Sequence, residues 1–390
     1  MDYTRYRHVL AERVGHLPAG FDAAEYQRRL AATREAMTRD GLDALLVTDA
    51  AEVCYLTGYT TFEVSVSICL VVTHDRTVLQ VPSIETGPAV TMAHVDEVTG
   101  YRWERPRDAP EQIADALRDA RRVGVNLWGA GLRPGLLEAV QALHAAEWVD
   151  CGDVLAAIRR VKSPAELAVL EECARVTERG LEAAAAVVTP GTSDSQVAAA
   201  GAEAMLAGGS EFMSMQPIVA AGVRSSIIHS NHNGHVIATG EPVFMEFGAV
   251  RHRYTAPQMR TVVAGPVTAS MRRIYETCSA LVDSLSGAMR PGRSFDDAAR
   301  DAETILTPLT DEVFFSGVFG YTVGVQFPPS WVEGTGFIAR GVETLFEPGM
   351  VFHLPICLRR PGEWGIGMSE TVVVERDGAR SMTRNDWRLP

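Results

Sequence analysis

One apolar run in the chain contains a single charged residue. From residue 242 to residue 250, every position is apolar or glycine except Glu246. A run of this kind predicts a strand that is buried on both faces. A carboxylate in such a strand costs several kcal/mol unless it is paired or protonated, so Glu246 is a candidate functional residue. The alternative is that Glu246 lies at the edge of a sheet and reaches water.

Helix-start signals recur along the chain, each a short polar side chain followed three residues later by an acid or an amide. They occur at Asp22–Glu25, Ser163–Glu166, Ser193–Gln196 and Ser294–Asp297. In the second of them, Pro164 also suits the first position of a helix. These signals predict helices that begin immediately after the four capping residues.

Strand and helix patterns alternate in the first part of the chain. Buried strands are predicted at 44–48, 64–73, 77–81 and 123–126, and helices at 23–40, 111–120 and 134–145. This alternation predicts a small α/β domain. The boundary is expected at residues 158–162, which gives domains of residues 1–157 and 158–390.

Composition narrows the range of partners. The chain has 390 residues, enough for two domains, and 36 Lys and Arg against 49 Asp and Glu give a net charge of −13. An acidic chain is not expected to bind a nucleic-acid backbone, so a small molecule is the expected partner. No apolar stretch approaches the roughly 20 residues of a membrane helix, so no membrane partner is expected.

The six cysteines are scattered, and no pair has the spacing of a zinc or redox motif. This distribution predicts reduced thiols in a protein core, as is usual in the cytosol. The first residues lack the apolar segment of a signal peptide. A cytoplasmic protein is therefore predicted.

Two segments resemble a known superfamily. Gly240 and Arg260–Thr261 match the strand pair that carries metal ligands in the pita-bread enzymes, among them prolidase, methionine aminopeptidase and creatinase. The segment Tyr55–Tyr59 is similar to the N-terminal domains of creatinase and prolidase. The resemblance spans about Tyr26–Glu375. It implies an α+β chain with a small N-terminal α/β domain and a C-terminal pita-bread catalytic domain.

The resemblance implies five metal-ligand positions in the catalytic domain. Three of them hold Pro257, Tyr321 and Pro355, which lack a carboxylate or an imidazole. The other two retain carboxylates, at Glu246 and Glu370. A pair of hard divalent cations needs several oxygen or nitrogen donors, so two glutamates cannot hold it. We therefore predict no catalytic metal and no other cofactor.

Within the superfamily, the chain resembles the metal-free branch of ectoine hydrolase. The motifs that carry this resemblance are Arg251–Tyr254 followed by Pro257, Gly320–Gly324, Pro328–Trp331 and Trp364–Thr371. The resemblance implies a metal-independent hydrolase. Its expected substrate is a small cyclic amidine, guanidino or amide compound in which a C–N bond is cleaved.

Such a reaction needs a nucleophile or base and a proton carrier. Glu246 is the candidate for the first role. His229 is the candidate carrier, because it lies eleven residues before Gly240, where creatinase and its relatives place a catalytic or substrate-contacting histidine. Glu370 is expected to pair with a cationic substrate or to hold His229 in one tautomer. The predicted substrate-binding residues are Tyr321, Tyr254, His353, Phe62 and Trp331.

His229, His232 and His235 lie within one short segment, HSNHNGH. Their spacing also suggests a metal site. The segment is polar and contains Asn-Gly, which is typical of a loop. A loop with solvated histidines is the preferred interpretation.

Other functions stay open at this point. The loss of three ligand positions is compatible with a non-catalytic ligand-binding protein, or with a pocket that catalyses an elimination or another step of secondary metabolism. A Xaa-Pro metallopeptidase is the least favoured function. The resemblance also implies a homodimer in which the N-terminal domain of one subunit caps the site of the other, with Tyr55–Phe62 as the candidate cap.

Overall fold

The structure is a computed structural model that describes residues 1–17, 20–384 and 389. It divides into two compact units, Met1–Arg159 and Arg160–Pro390. In the part of the chain that is described, no helix is both long and apolar enough to cross a membrane.

The N-terminal unit is built on one six-stranded sheet with the strand order β4-β3-β2-β1-β5-β6. β2 pairs antiparallel with β1 and β3, and the other neighbours are parallel. The strands are β1 (Ala44–Val47), β2 (Cys69–Thr73), β3 (Thr77–Pro82), β4 (Glu97–Tyr101), β5 (Arg122–Val125) and β6 (Glu147–Asp150). The helices are α1 (Tyr3–Arg13), α2 (Ala23–Arg39), α3 (Ala50–Thr57), α4 (Thr86–Met92), α5 (Ala109–Ala116), α6 (Pro134–Leu143) and α7 (Gly152–Arg160).

The first strand of the predicted hairpin is shorter than the sequence pattern indicated. β2 begins at Cys69 rather than at residue 64. Upstream of it, the Glu63 carboxylate accepts hydrogen bonds from the backbone and the hydroxyl of Ser65. A local side-chain bond of this kind competes with strand pairing, so the alternating residues before Cys69 form a turn.

In the C-terminal unit, the predicted helix starts at Ser163, Ser193 and Ser294 are confirmed. Each serine accepts a hydrogen bond from the backbone three residues later, and the side chain there bonds back to the serine backbone. The helices are α8 (Pro164–Ala186), α9 (Asp194–Ala207), α10 (Ala269–Ala288) and α11 (Phe295–Leu306).

The strands of the C-terminal unit form a three-stranded sheet, a five-stranded sheet and two short ribbons. The three-stranded sheet has the order β11-β8-β7, and the five-stranded sheet has the order β13-β12-β14-β17-β18. The strands are β7 (Ile218–Ala221), β8 (Pro242–Phe247), β9 (Val250–Arg251), β10 (Tyr254–Thr255), β11 (Gln258–Val263), β12 (Gly320–Val323), β13 (Val332–Ile338), β14 (Val351–His353), β15 (Ile356–Arg360), β16 (Trp364–Met368), β17 (Thr371–Glu375) and β18 (Gly378–Ser381).

Each half of this unit packs a helix pair on strands. One core joins α8 and α9 to the β7-β8-β11 sheet through residues such as Leu181, Val197 and Met245. The other joins α10 and α11 to the later strands through residues such as Leu281 and Phe352. The predicted fold class, an α+β chain with a small α/β domain before a pita-bread domain, is confirmed.

The β15-β16 hairpin packs closely on its neighbours because two of its residues are glycines. Gly365 lies against the 3-10 helix Gly222–Ser226, and Gly367 lies against Phe244 of the β7-β8-β11 sheet. A Cβ atom added at Gly365 would lie 2.2 Å from the backbone oxygen of Ser225, and one added at Gly367 would lie 2.4 Å from the ring of Phe244. Only a residue without a side chain allows this approach.

Replacing Gly365 with alanine should therefore destabilise the protein, by about 3 kcal/mol, because the clash is with rigid backbone. Urea unfolding measures the effect. Gly287 in α10 is the matched control, since an added Cβ there meets nothing within 4 Å, and Gly287→Ala should stabilise the helix slightly. Equal stability of Gly365→Ala and the wild type would contradict the close packing.

Candidate active site

Glu246 lies on one face of the β7-β8-β11 sheet. It is directly opposite Met259 of β11 and Ile218 of β7. Directly opposite residues of antiparallel strands share a face, and successive residues alternate. The face of Glu246 therefore also carries Phe244, and it is the face turned away from the α8–α9 core.

The β15-β16 hairpin covers this face. Cys357 of β15 packs in a buried apolar cluster with Phe244 and Met259. Cys357 pairs with Gly367 across the hairpin, at the point where the glycine leaves room for those two side chains. Glu246 thus lies between two packed layers of strands, as the sequence pattern indicated, and only 9% of its surface is exposed.

The Glu246 carboxyl group makes no hydrogen bond or ion pair with any of the described residues. Burial raises its pKa to about 7, and the positive charge of Arg359 opposes this rise. A carboxyl group with this pKa exchanges its proton near neutral pH, which suits a general base or a nucleophile.

Arg359 is the nearby cation. It is two residues after Cys357 in β15, so its side chain leaves the same face of the hairpin. Its cross-strand partner is Gly365, and the Arg359 Cγ atom lies close over that glycine. The Nε atom of Arg359 is buried without a hydrogen-bond partner among the described residues, so this donor is free for a ligand.

A chain of hydrogen bonds lies beside Glu246. The indole N–H of Trp331 donates to the hydroxyl of Tyr321 at 2.9 Å. The same hydroxyl is 2.8 Å from Nδ1 of His353, and Nε2 of His353 is 2.6 Å from the Ser369 hydroxyl. Tyr321 and His353 are directly opposite each other in β12 and β14. The structure therefore brings together three of the five predicted substrate-binding residues and adds Ser369.

Two contacts join this hydrogen-bond chain to the segment that contains β8 and β11, where Glu246 lies. The Ser369 backbone N–H donates to the carbonyl of Met259 at 3.1 Å, and Met259 is opposite Glu246. Trp331 packs against Gly248, where an added Cβ would lie 3.0 Å from the indole ring.

Burial determines the protonation states of His353 and Tyr321 in this hydrogen-bond chain. It lowers the pKa of His353 to about 3, aided by the charge of Arg260, so the imidazole is neutral at physiological pH. Burial and the Glu246 carboxylate raise the pKa of Tyr321 well above its usual value. Tyr321 therefore keeps its proton and acts as a hydrogen-bond donor rather than as an acid.

Glu370 was expected beside Glu246, but the structure places it elsewhere. Its carboxylate bonds to Arg260 at 2.5 Å and to Gln258 at 3.0 Å. These two residues flank Met259 in β11, so their side chains leave the opposite face of the sheet. Glu370 is buried in a structural ion pair and contacts neither Glu246 nor His229 through any described hydrogen bond.

Tyr254 and His229 have surroundings of their own. The Tyr254 hydroxyl donates to Glu166 at 2.7 Å, at the start of α8. His229 is exposed and has a left-handed backbone with φ of 56°. It follows the 3-10 helix Gly222–Ser226, which packs on β8 and β16. Phe62 belongs to the N-terminal unit, where 82% of its surface is exposed.

The other histidines of the HSNHNGH segment have structural partners. His232 contacts the Asn231 side chain at 2.8 Å, and His235 contacts Glu241 at 2.9 Å. Asp194 at the start of α9 accepts the backbone N–H of Gly234 at 2.8 Å. These bonds hold the loop that leads to β8.

Sequence reasoning missed Ser369 and Arg359. Ser369 immediately precedes the predicted residue Glu370, so the two are alternatives at one place in the chain, whereas no signal in the sequence singled out Arg359. Choosing between Ser369 and Glu370 required knowing which face of the neighbouring sheet meets the pocket, and alternation alone does not contain that information.

Residues 168–376 match the Metallopeptidase family M24, and residues 29–161 match the Creatinase/Prolidase N-terminal domain. The chain belongs to the metallopeptidase family M24. This M24 protein is therefore a member of a hydrolase family, and the predicted superfamily is confirmed.

The M24 protein is similar to curated proteins over nearly its whole length. It is 28% identical to an uncharacterized hydrolase/peptidase (y4tL) of Sinorhizobium fredii, with 95% of this chain and 98% of the relative covered. It is 23% identical to the ectoine hydrolase of Halomonas elongata, with 93% and 96% covered. Among solved structures, the prolidase of Pyrococcus horikoshii superposes with a TM-score of 0.82 at 21% identity, covering 93% of this chain and 100% of the prolidase.

The family implies a metal centre, and the residues of this M24 protein do not fit one. Within the described residues, no group of three His, Cys, Asp or Glu side chains could hold a metal ion. Pro257 and Pro355 offer no side-chain donor, and the Pro257 carbonyl accepts the Thr371 hydroxyl at 2.7 Å.

The burial of Glu246 predicts a pH-dependent stability. Its pKa rises from 4.5 to about 7 on folding, so the folded state binds the extra proton between these values. The Glu246 contribution is full below pH 4.5 and is lost as the pH rises through 7. Glu246→Gln lacks this loss, so its stability relative to the wild type should increase from pH 5 to pH 8, by on the order of 3 kcal/mol.

Urea unfolding of both proteins at each pH measures this difference. The exposed residue Glu375 provides the matched control, because Glu375→Gln should follow the wild-type pH dependence. If the difference in unfolding free energy between Glu246→Gln and the wild type stays constant from pH 5 to pH 8, the Glu246 carboxyl group is solvated and the predicted burial is wrong.

Proposed function

We propose that this M24 protein is a metal-independent hydrolase that cleaves a C–N bond of a small cyclic amidine, guanidino or amide compound, as an ectoine hydrolase does. The observation that carries the proposal is Glu246, a buried carboxyl group without a partner among the described residues and with a pKa near 7. It lies beside a neutral donor chain, in a family whose metal ligands are largely replaced here.

The chemistry follows from the charge of the carboxyl group. In a water-poor pocket, a carboxylate stabilises a bound amidinium or guanidinium cation strongly. Glu246 either attacks the electrophilic carbon or removes a proton from a water that attacks it. If Glu246 attacks, it forms a C–O bond to the carbon as the C–N bond breaks, and a water then hydrolyses that bond and releases the carboxylate. If Glu246 acts as a base, the water oxygen bonds to the carbon directly. In both routes one water is consumed and the leaving nitrogen gains a proton.

His229 is the proposed proton carrier. It is exposed, and an imidazole ring can both accept and donate a proton. Its position after the 3-10 helix that packs on β8 and β16 supports a location at the rim of the pocket. Glu370 no longer has a catalytic role in the proposal, because it neutralises Arg260 on the other face of the sheet.

The small-molecule substrate, the homodimer and the cytoplasmic location remain part of the proposal. The dimer matters because Phe62 is a large exposed aromatic side chain, which is compatible with a role as a cap for the site of a second subunit.

Activity should survive exhaustive chelation and should not rise when Mn²⁺ or Co²⁺ is added, because Glu246 replaces the metal as activating group. The assay is product analysis on a panel of cyclic amidines, guanidino acids and dipeptides, with the metal content of the protein measured in parallel. Glu246→Gln should lower kcat by roughly 10²–10⁴-fold.

His229→Ala should also lower kcat, whereas His232→Ala is the matched control in the same loop and should retain activity. Full dependence on added metal with cleavage of Xaa-Pro dipeptides would identify a metallopeptidase instead. Binding of a panel compound without turnover would identify a non-catalytic ligand-binding protein.

Removing the charge of Arg359 should shift the pH profile. Arg359 lowers the pKa of Glu246, so the Arg359→Met substitution should raise it, and the acid limb of kcat/KM should move to higher pH. Arg359→Lys keeps the charge and should leave the limb near its wild-type position. If the acid limb of kcat/KM moves to lower pH or stays unchanged in Arg359→Met, the ionisation of Glu246 does not determine that limb.

A further inference from the structure

The hydroxyl of Tyr321, the imidazole of His353 and the hydroxyl of Ser369 form a continuous chain, called here the Tyr–His–Ser chain. Its two internal contacts are 2.8 Å and 2.6 Å. Trp331 adds a third hydrogen bond to the tyrosine hydroxyl at 2.9 Å. The Tyr–His–Ser chain contains two hydroxyl protons and one ring N–H proton. One of the hydroxyl protons has no acceptor within the chain and can be donated to a ligand.

An indole nitrogen can only donate, and a neutral imidazole has one N–H and one bare nitrogen. His353 is fully buried between two hydroxyl groups and is neutral. If Nδ1 is bare, Tyr321 donates to it, Nε2–H donates to Ser369, and the Ser369 proton is left over. If Nδ1 carries the proton, Tyr321 accepts from both His353 and Trp331, Ser369 donates to Nε2, and the Tyr321 proton is left over.

The surroundings favour the second arrangement. Tyr321 interacts electrostatically with Glu246, and a carboxylate can only accept hydrogen bonds. A free hydroxyl proton on Tyr321 is attracted by this charge, whereas a tyrosine oxygen presenting lone pairs would be repelled. Ser369 contacts only His353 through its hydroxyl among the described hydrogen bonds, so no acceptor draws its proton away from Nε2.

We propose that the Nδ1–H tautomer of His353 holds the Tyr321 proton toward the Glu246 pocket, where Tyr321 donates to the atom that gains a lone pair during C–N hydrolysis. In this scheme Tyr321 is a catalytic residue, and His353 and Ser369 are positioning residues that act through it. This inference rests on the proposed hydrolase function and extends it to residues and a tautomer.

The proposed donor acts on the transition state more than on the bound substrate. An amidinium or guanidinium nitrogen has no lone pair to accept the Tyr321 proton. When the neighbouring carbon is attacked, the C=N π electrons move onto that nitrogen, which then becomes an acceptor. For an amide substrate, the carbonyl oxygen gains negative charge in the same step. A bond that strengthens only during attack lowers the barrier without tightening substrate binding.

The tautomer can be measured without any substrate. Nitrogen-15 NMR of histidine-labelled protein distinguishes a protonated ring nitrogen from a bare one, and His353→Gln identifies the His353 signals. The wild type should show Nδ1 protonated and Nε2 bare. In Tyr321→Phe, Nδ1 loses its acceptor, so the proton should move to Nε2 and bond to Ser369. A wild-type protein with protonated Nε2 would overturn the proposed positioning.

Kinetics test the catalytic part. Tyr321→Phe should lower kcat by roughly 10²–10³-fold with a smaller effect on KM, as loss of one donor to a developing charge does. Ser369→Ala should lower kcat by roughly 10–100-fold, as is usual for a supporting residue. Ser369→Thr keeps the hydroxyl and should restore most of the rate, and Ser195→Ala is a serine control in α9, outside the chain.

The outcomes separate the two proposals. A predicted tautomer with unchanged kcat in Tyr321→Phe would overturn the role of Tyr321 while leaving the hydrolase function intact. Metal-dependent cleavage that Glu246→Gln does not affect would overturn the proposed metal-independent reaction, and with it the catalytic role of Tyr321, whatever the tautomer.

Discussion

A carboxyl group without a partner, enclosed between two layers of strands, is the constraint on which the site depends. Burying Glu246 in a sheet face next to Phe244 and Met259 opposes folding once the group is ionised. The surrounding packing offsets that cost, since Gly367 of the β15-β16 hairpin lies directly against the side chains of Phe244 and Met259 on the sheet. The same desolvation that destabilises the carboxylate places its pKa where acid–base chemistry at neutral pH needs it.

The polar groups around Glu246 bond to one another rather than to its carboxyl group. Trp331, Tyr321, His353 and Ser369 form a continuous sequence of hydrogen bonds, and Glu370 is neutralised by Arg260 on the far face of the sheet. Separating these two sets across one strand layer prevents Arg260 from pairing with Glu246. The Glu246 carboxyl group stays without an ion pair among the described residues because Arg260, on the same strand pair, bonds to Glu370 instead.

The side chains around Glu246 differ from the donors that a metal pair requires. Pro257 and Pro355 offer no side-chain donor, and the Tyr321 hydroxyl is engaged with Trp331 and His353. A metal pair would need several anionic or imidazole ligands, and the described residues contain no group of three that could hold a metal ion.

Local chemistry in the sequence was enough for the elements and for the key acid. The serine caps of α8, α9 and α11 act through residues three positions apart, and the run around Glu246 specifies a buried strand through its own composition. The sequence similarity in both domains was likewise sufficient for the fold class. Which acid faces the pocket was decided only by the tertiary structure. Glu370 and Ser369 are adjacent in the chain, between β16 and β17, and their side chains bond to different partners, Arg260 and His353, in neighbouring strands whose positions no local pattern encodes.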